Sequence, residues 1–214
     1  MKKRFPLWII PLAAALITGG IIAWYWIGVC LYNNNSNGGK DSMPDYAGTL
    51  IMDESFVVDV VQGNDNSYYL THDGMGNETK YGCPFIDVQW TKDARNMVIY
   101  GHNSLNGTAF SDLVRFRDPF CAAGHETFEF QDKDGILHKY RLACVLDYDT
   151  DCISEFNPYA LSLPGDYEKR AERFVIYGSG AGIADADRVI TLSTCDEHVD
   201  GQNGRLIVVG VEEP

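Results

Sequence analysis

A thiol, carboxylates, an imidazole and a guanidinium share fifteen positions in "TLSTCDEHVDGQNGR", Thr191 to Arg205. Cysteine is a poor nucleophile at its ordinary pKa of ~8.5, and nearby positive charge favours the thiolate. Arg205 supplies such charge permanently, and its planar fork suits a carbonyl or the oxyanion of a tetrahedral intermediate. The competing reading is a structural cysteine, with the arginine satisfying carboxylates of its own loop. A nucleophile also needs a base. His198 is nearest in sequence, but it sits beside Glu197 and Asp200 in an acidic loop and reads as solvated surface. His102 ranks first, because it follows "NMVIYG" at a strand exit where Gly101 permits a sharp turn. His72, beside Asp73 and "DGMGN", reads as surface, as do His125 and His138. Asp112 and Asp196 are the carboxylates available to orient His102.

The elements that position these groups follow from periodicity. "RVITLSTC" and "RLIVVGV" each alternate two faces, so the residues from Asp196 to Gly204 connect adjacent antiparallel strands. Cys195 then ends one strand and Arg205 starts its neighbour, within the ~5 Å spacing of paired strands plus side-chain reach. Further runs of Val, Ile, Tyr and Phe, "SFVVDVV", "MVIYG", "TFEFQD" and "KYRLACVLDY", recur between turn signals and predict a mostly antiparallel sheet or barrel. "DKDG", Asp132 to Gly135, reads as a hairpin turn with glycine at positive φ. "AFSDLVRF" spaces Phe110, Leu113 and Val114 at helical intervals, with Ser111 or Thr108 as cap. A helix-containing excursion from Ser154 to Gly182 separates two strands and turns Glu168, Arg170, Glu172 and Arg173 to water.

The 214 residues, 45% hydrophobic and 12% aromatic, fill one domain of ordinary size. From Leu7 to Leu31 no residue is charged, and at ~1.5 Å per helical residue this run crosses a ~30 Å hydrocarbon layer. Lys2, Lys3 and Arg4 precede it and no basic residue follows until Lys40, which predicts a cytoplasmic N-terminus and a domain outside the membrane. The alternatives are a signal peptide cleaved near Ala13 to Ala15 and a lipid-modified Cys30. The expected organisation is a cytoplasmic stub and anchor over 1–31, a polar tether over 32–45 and a folded domain over 46–214. All 30 acidic residues and 14 of the 17 basic ones lie beyond the anchor, so no nucleic-acid footprint is present.

"YGHNSLNGTAFSDL", "TLSTC" and an arginine ten residues later together resemble the sortases, the Gram-positive cell-wall transpeptidases; "VVQGNDNSYYLTHD" and the excursion before the last strands are similar to class B members. The similarity runs from about Phe56 to Val211. It implies a closed or nearly closed β-barrel with peripheral helices, which would follow the one N-terminal transmembrane helix that the uncharged run predicts. It implies Cys195 as nucleophile, His102 as proton-transfer partner and Arg205 as stabiliser of substrate and oxyanion. It also implies a groove for a sorting-signal peptide lined by Asn66, Leu70 and Ser193, with the excursion as its wall. The implied reaction is cleavage of a C-terminal sorting signal through a thioester, followed by transfer to an amine. A peptidoglycan-precursor amine gives a wall-anchored protein, and a pilin lysine gives a polymer. The thioester keeps the acyl group activated, so neither nucleotide, metal nor other cofactor is implied.

Two rival readings use the same residues. One is a membrane-tethered cysteine peptidase or peptidoglycan transpeptidase of another fold; the other is a non-catalytic, wall-binding β-domain. Cys83, Cys121, Cys144 and Cys152 join Cys195 in the domain, and reduced, partly buried thiols are expected over disulfides.

Overall fold

The computed structural model describes residues 40, 42–103, 110–195 and 203–214. The chain divides into two units, 1–42 and 43–214, and the account below concerns the second. The expected anchor, most of the tether, Thr108, Asp196 and His198 lie outside the described residues. Among the described residues no helix is long and apolar enough to cross a membrane.

Nine strands form one sheet: β1 (Tyr46–Ile51), β2 (Val57–Val61), β3 (Phe85–Ile86), β4 (Asn96–Gly101), β5 (Thr127–Asp132), β6 (Leu137–Asp149), β7 (Val175–Gly178), β8 (Val189–Cys195) and β9 (Gly204–Glu212). Their order is β5-β1-β2-β3-β4-β8-β9-β6-β7, and a further β5–β6 pairing closes eight of them into a barrel with β7 outside it. The long β6 makes this closure. Its first residues pair with β5 across the Asp132–Gly135 hairpin, while its later ones pair with β9 on one edge and β7 on the other. Gly135 sits at φ +83° in that hairpin, the left-handed conformation that glycine adopts without penalty. Most pairings are antiparallel, but β2–β3 and β4–β8 run parallel.

The continuous apolar run of β9 reflects burial on both faces. Leu206 and Val208 join Leu50, Val60, Ile99 and Leu192 inside the barrel. Ile207 and Val209 face a second core built with Phe156, Leu163, Tyr167, Phe174 and Ile183 from the excursion. A strand with two buried faces reads as unbroken hydrophobicity rather than alternation.

The excursion carries the short helix α2 (Tyr167–Ala171) as expected, but it also contains β7, a four-residue strand that the pattern had not marked. Glu168, Arg170, Glu172 and Arg173 are exposed. A 3-10 helix covers Ser111–Arg117 where helical spacing was read; Ser111 opens it, Phe110 holds the cap position, and no side chain caps it. The first α-helix, α1 (Pro119–Gly124), follows directly, with Asp118 accepting from the Phe120 amide. Gly101 does not turn the chain, because it lies within β4. It is required there by the Phe110 ring, whose Cγ would stand 2.7 Å from an added Cβ.

His125 and His138 are not surface groups. The His125 Nε2 lies 2.9 Å from the Asp53 carboxylate, and the His138 Nδ1 lies 2.6 Å from Glu212. His72 is half-buried and stacks on Tyr68. The five cysteines of the described residues are free thiols, and burial pushes Cys83 and Cys144 up to about 12.

Candidate active site

The β8–β9 register sets Cys195 directly opposite Arg205. The parallel β4–β8 register sets Gly101 opposite Thr194, so the residues that follow, His102 just past β4 and Cys195 at the end of β8, stand side by side at one rim of the sheet. Thr194 reinforces this level by donating its hydroxyl to the Gly101 carbonyl at 2.9 Å. One step deeper, Thr191 donates to the buried Asn96 side chain at 2.8 Å. The Asn96 amide in turn donates to the carbonyls of Pro158 and Ala160 at 3.1 Å each. Asn96 therefore fastens the start of the excursion, and Tyr159 with it, to the strands that carry the thiol and the imidazole.

His102 and Cys195 line the same groove, and hydrogen bonding between them moves the titration of both. The imidazole Nε2 lies 2.9 Å from the Leu70 carbonyl, which only accepts, so Nε2 carries a proton and Nδ1 is left for the thiol. This backbone carbonyl fills the orienting role for which Asp112 and Asp196 were the sequence candidates; Asp112 lies on the Ser111–Arg117 helix. The carbonyl is itself held. Leu70 ends the 3-10 turn Tyr68–Leu70, the Cys83 amide donates to the Tyr69 carbonyl at 2.9 Å, and the Tyr69 hydroxyl donates to Asp45 at 2.7 Å.

The electrostatics of the pair are reciprocal. The bond to Cys195 raises the His102 pKa above its ordinary 6.5, opposed by burial and aided by the Leu70 contact. The bond to His102 lowers the Cys195 pKa below that of an ordinary thiol, opposed by burial and aided by the Arg205 charge. Both shifts favour thiolate and imidazolium, and the two groups titrate as one coupled unit. Arg205 keeps its orientation by donating from Nη1 to the Gly204 carbonyl at 2.7 Å.

These groups open onto a groove of about 310 Å³. Its lining includes Asn66, Leu70 and Ser193 beside His102, Cys195 and Arg205, so all six residues picked from the sequence meet in one cavity. Tyr100 and Tyr159 also line it and were not picked. Tyr159 enters from the excursion and shares a 3.2 Å hydrogen bond with Ser193, and burial pushes its phenol up to about 12 despite the nearby Arg205. Tyr100 immediately precedes the Gly101-His102 pair, and its place on a strand otherwise rich in buried apolar residues was the available signal. A larger cavity of about 550 Å³ lies at the other mouth of the barrel, where β8 begins at Val189. It contains neither the thiol nor its partners. Among the described residues no cluster of three or more His, Cys, Asp or Glu is set to hold a metal ion.

The family model described as Sortase domain matches residues 57–213. Sortase B of Listeria monocytogenes is 30% identical over 174 residues, 78% of this chain and 69% of that protein. Sortase B of Staphylococcus aureus is 26% identical over 155 residues, 70% of this chain and 62% of that protein. Among solved structures, sortase B of Clostridium perfringens aligns with a TM-score of 0.69 at 26% identity, covering 84% of this chain and 100% of that one. With the family match extending from β2 to the end of β9 and sortase B proteins among its relatives, this chain belongs to the sortase family of cysteine transpeptidases and is class B-like within it.

Proposed function

We propose that this chain is a membrane-anchored transpeptidase that cleaves a C-terminal sorting signal through a thioester on Cys195 and passes the acyl group to an amine of a cell-wall precursor. The observation that carries the reading is the meeting of Cys195, His102 and Arg205 at the head of a single groove. The uncharged run from Leu7 to Leu31 behind Lys2, Lys3 and Arg4 supports a single-pass anchor with the catalytic domain outside the cell.

In this mechanism the Cys195 thiolate attacks the scissile carbonyl of the bound peptide, and the carbonyl electron pair moves onto oxygen. Arg205 stabilises that oxyanion or holds the carbonyl before attack. Collapse breaks the C–N bond as His102 gives its Nδ1 proton to the leaving amine, while Nε2–H stays on the Leu70 carbonyl. An incoming amine then attacks the thioester and returns its proton to Nδ1, which restores the thiolate. Asn66, Leu70 and Ser193 line the peptide's path.

The test is mass spectrometry of the full-length protein with a randomised pentapeptide library carrying threonine before the scissile bond, with and without hydroxylamine. A +acyl adduct on Cys195 that hydroxylamine releases as a hydroxamate is the expected result. Peptide hydrolysis that persists in Cys195→Ala, or no adduct in any pool, would overturn the proposal.

A further inference from the structure

The groove wall nearest Asn66 is organised by a carboxylate that has no assigned part in the reaction. Asp87 follows β3, and its amide donates to the Val98 carbonyl at 2.9 Å, extending the β3–β4 pairing by one step. Its Oδ1 accepts the Gln89 amide at 2.8 Å, which fixes the side-chain rotamer. Its Oδ2 accepts two donors, the Tyr100 hydroxyl and the Asn66 Nδ2, at 3.1 Å each. Asn66 is completed from the same turn, since its Oδ1 accepts the Val88 amide at 2.8 Å. Residues 87 and 88 thus contact both ends of the Asn66 carboxamide and forbid its flip, because a turned amide would set Nδ2 against the Val88 N–H and Oδ1 against the carboxylate.

Two otherwise separate elements of the groove, the 65–70 loop and β4, therefore meet on one oxygen. Burial, and then the Asp87 charge, push the Tyr100 phenol well above its ordinary value, so it remains the donor in this contact. The 65–70 loop runs on to Leu70, whose carbonyl receives His102. The far side of that loop has its own anchors at Cys83 and Asp45, which assigns the Asp87 contact to the groove wall rather than to the imidazole.

We propose that Asp87 is a positioning residue for peptide binding: it fixes the Asn66 carboxamide and the Tyr100 hydroxyl in the orientation they present to the groove. The binding consequence rests on the reading of the groove as the peptide site. Asp87→Asn replaces the accepting Oδ2 by an amide that donates, so Asn66 loses its partner while size and shape are kept.

The experiment uses two readouts on the full-length protein. The first is the Asn66 side-chain amide resonance in a 15N-labelled sample, identified by its absence in Asn66→Ala. In Asp87→Asn its protons should shift and exchange with water about tenfold faster or more, the scale of losing a hydrogen bond to a charged group. The second is KM and kcat for the pentapeptide that wild type cleaves fastest from a fluorophore–quencher library. Asp87→Asn should raise KM about tenfold, leave kcat and the pH profile of Cys195 alkylation unchanged, and raise KM by a clearly smaller factor in an Asn66→Ala background, where only the Tyr100 contact is left to lose. An unmoved Asn66 resonance, an equal KM change in both backgrounds, or a shifted alkylation profile would overturn the proposal. Cleavage of no peptide by wild type would refute the peptide-site reading, and the resonance would still decide whether Asp87 holds Asn66. If Asp87→Asn does not fold, Asn66→Asp decides: it sets two carboxylates together, and adding Asp87→Asn to it should restore folding stability, whereas no restoration refutes the contact.

Discussion

Gly82 gives the sharpest quantitative test of how the imidazole is held. It sits at φ +63°, and a Cβ added there would stand 2.4 Å from the Tyr69 carbonyl oxygen, 3.0 Å from the Leu70 oxygen and 3.1 Å from His102 Cδ2. Carbon–oxygen contacts settle near ~3.3 Å, so Gly82→Ala must drive the Tyr69 carbonyl away by about 1 Å. The Leu70 carbonyl belongs to the same turn and moves with it, and the Nε2 bond that sets the His102 ring is displaced. A misplacement of about 1 Å at a reacting group costs on the order of 10² in rate. The left-handed conformation adds about 1–2 kcal/mol for alanine, which in a domain of this size lowers the melting temperature by about 2–8 °C. Gly82→Asn separates the two effects, since asparagine tolerates positive φ but still carries a Cβ. Both variants should lose about 10² in kcat, and Asn should melt higher than Ala. The assay is initial-rate transpeptidation with calorimetric melting on the same samples. Near-wild-type kcat in Gly82→Ala, or loss in Ala with full recovery in Asn, would refute the argument that the Cβ clash acts through the Leu70 carbonyl.

Other expectations follow from the same geometry. Arg205→Lys keeps the charge but loses the fork, so both it and Arg205→Ala should lose on the order of 10² to 10³ in turnover; near-full activity in the lysine variant would mean that charge alone suffices. Cys195 should alkylate with a midpoint below the ~8.5 of an ordinary thiol in wild type, and His102→Ala should move that midpoint upward, because the largest lowering contact is gone while burial remains; an unmoved iodoacetamide profile would break the pairing. His198→Ala should retain most peptide cleavage while His102→Ala abolishes it, and the reverse pattern with both variants folded would exchange their roles. Asn96→Leu leaves the Pro158 and Ala160 carbonyls without their donor, so it should destabilise the domain by on the order of 3 kcal/mol in urea titration; a change under about 1 kcal/mol would contradict the fastening of the excursion. Protease added to intact protoplasts should digest the domain, and full protection would overturn the proposed orientation.

The juxtaposition of Cys195 and Arg205 was legible because both flanking runs read as strands and only a short connection joins them; the alternation expected of them is absent, since both strands are buried on two faces. The neighbour on the other side was not. β4 and β8 pair in parallel across more than ninety residues, and nothing in either pattern names its partner, so His102 was ranked from its strand exit and from a motif resemblance. β3 and β7 escaped notice because two and four residues are too few for a period to register. β1, "YAGTLI", contains Gly and Ala, which weaken a strand signal. The orienting partner of His102 was beyond reach for a deeper reason: every residue has a carbonyl, so a backbone acceptor such as that of Leu70 leaves no mark in composition. Asp112 drew attention because carboxylates are visible in a sequence and carbonyls are not.

The parallel β4–β8 pairing also has a consequence for how the protein gains its activity. The Gly101–Thr194 contact beside His102 and Cys195 spans 93 residues of chain, including β5, β6 and the whole excursion. Closing such a long loop carries an entropic cost that only later contacts offset, and folds dominated by such pairings form slowly. No contiguous fragment shorter than that interval contains both Cys195 and His102. During refolding, recovery of strand signal should precede recovery of turnover, and a chain arrested before β8 docks would hold a thiol at its ordinary reactivity and no transferase. Catalysis is thereby a late event in folding, and an active molecule is one whose barrel has already closed.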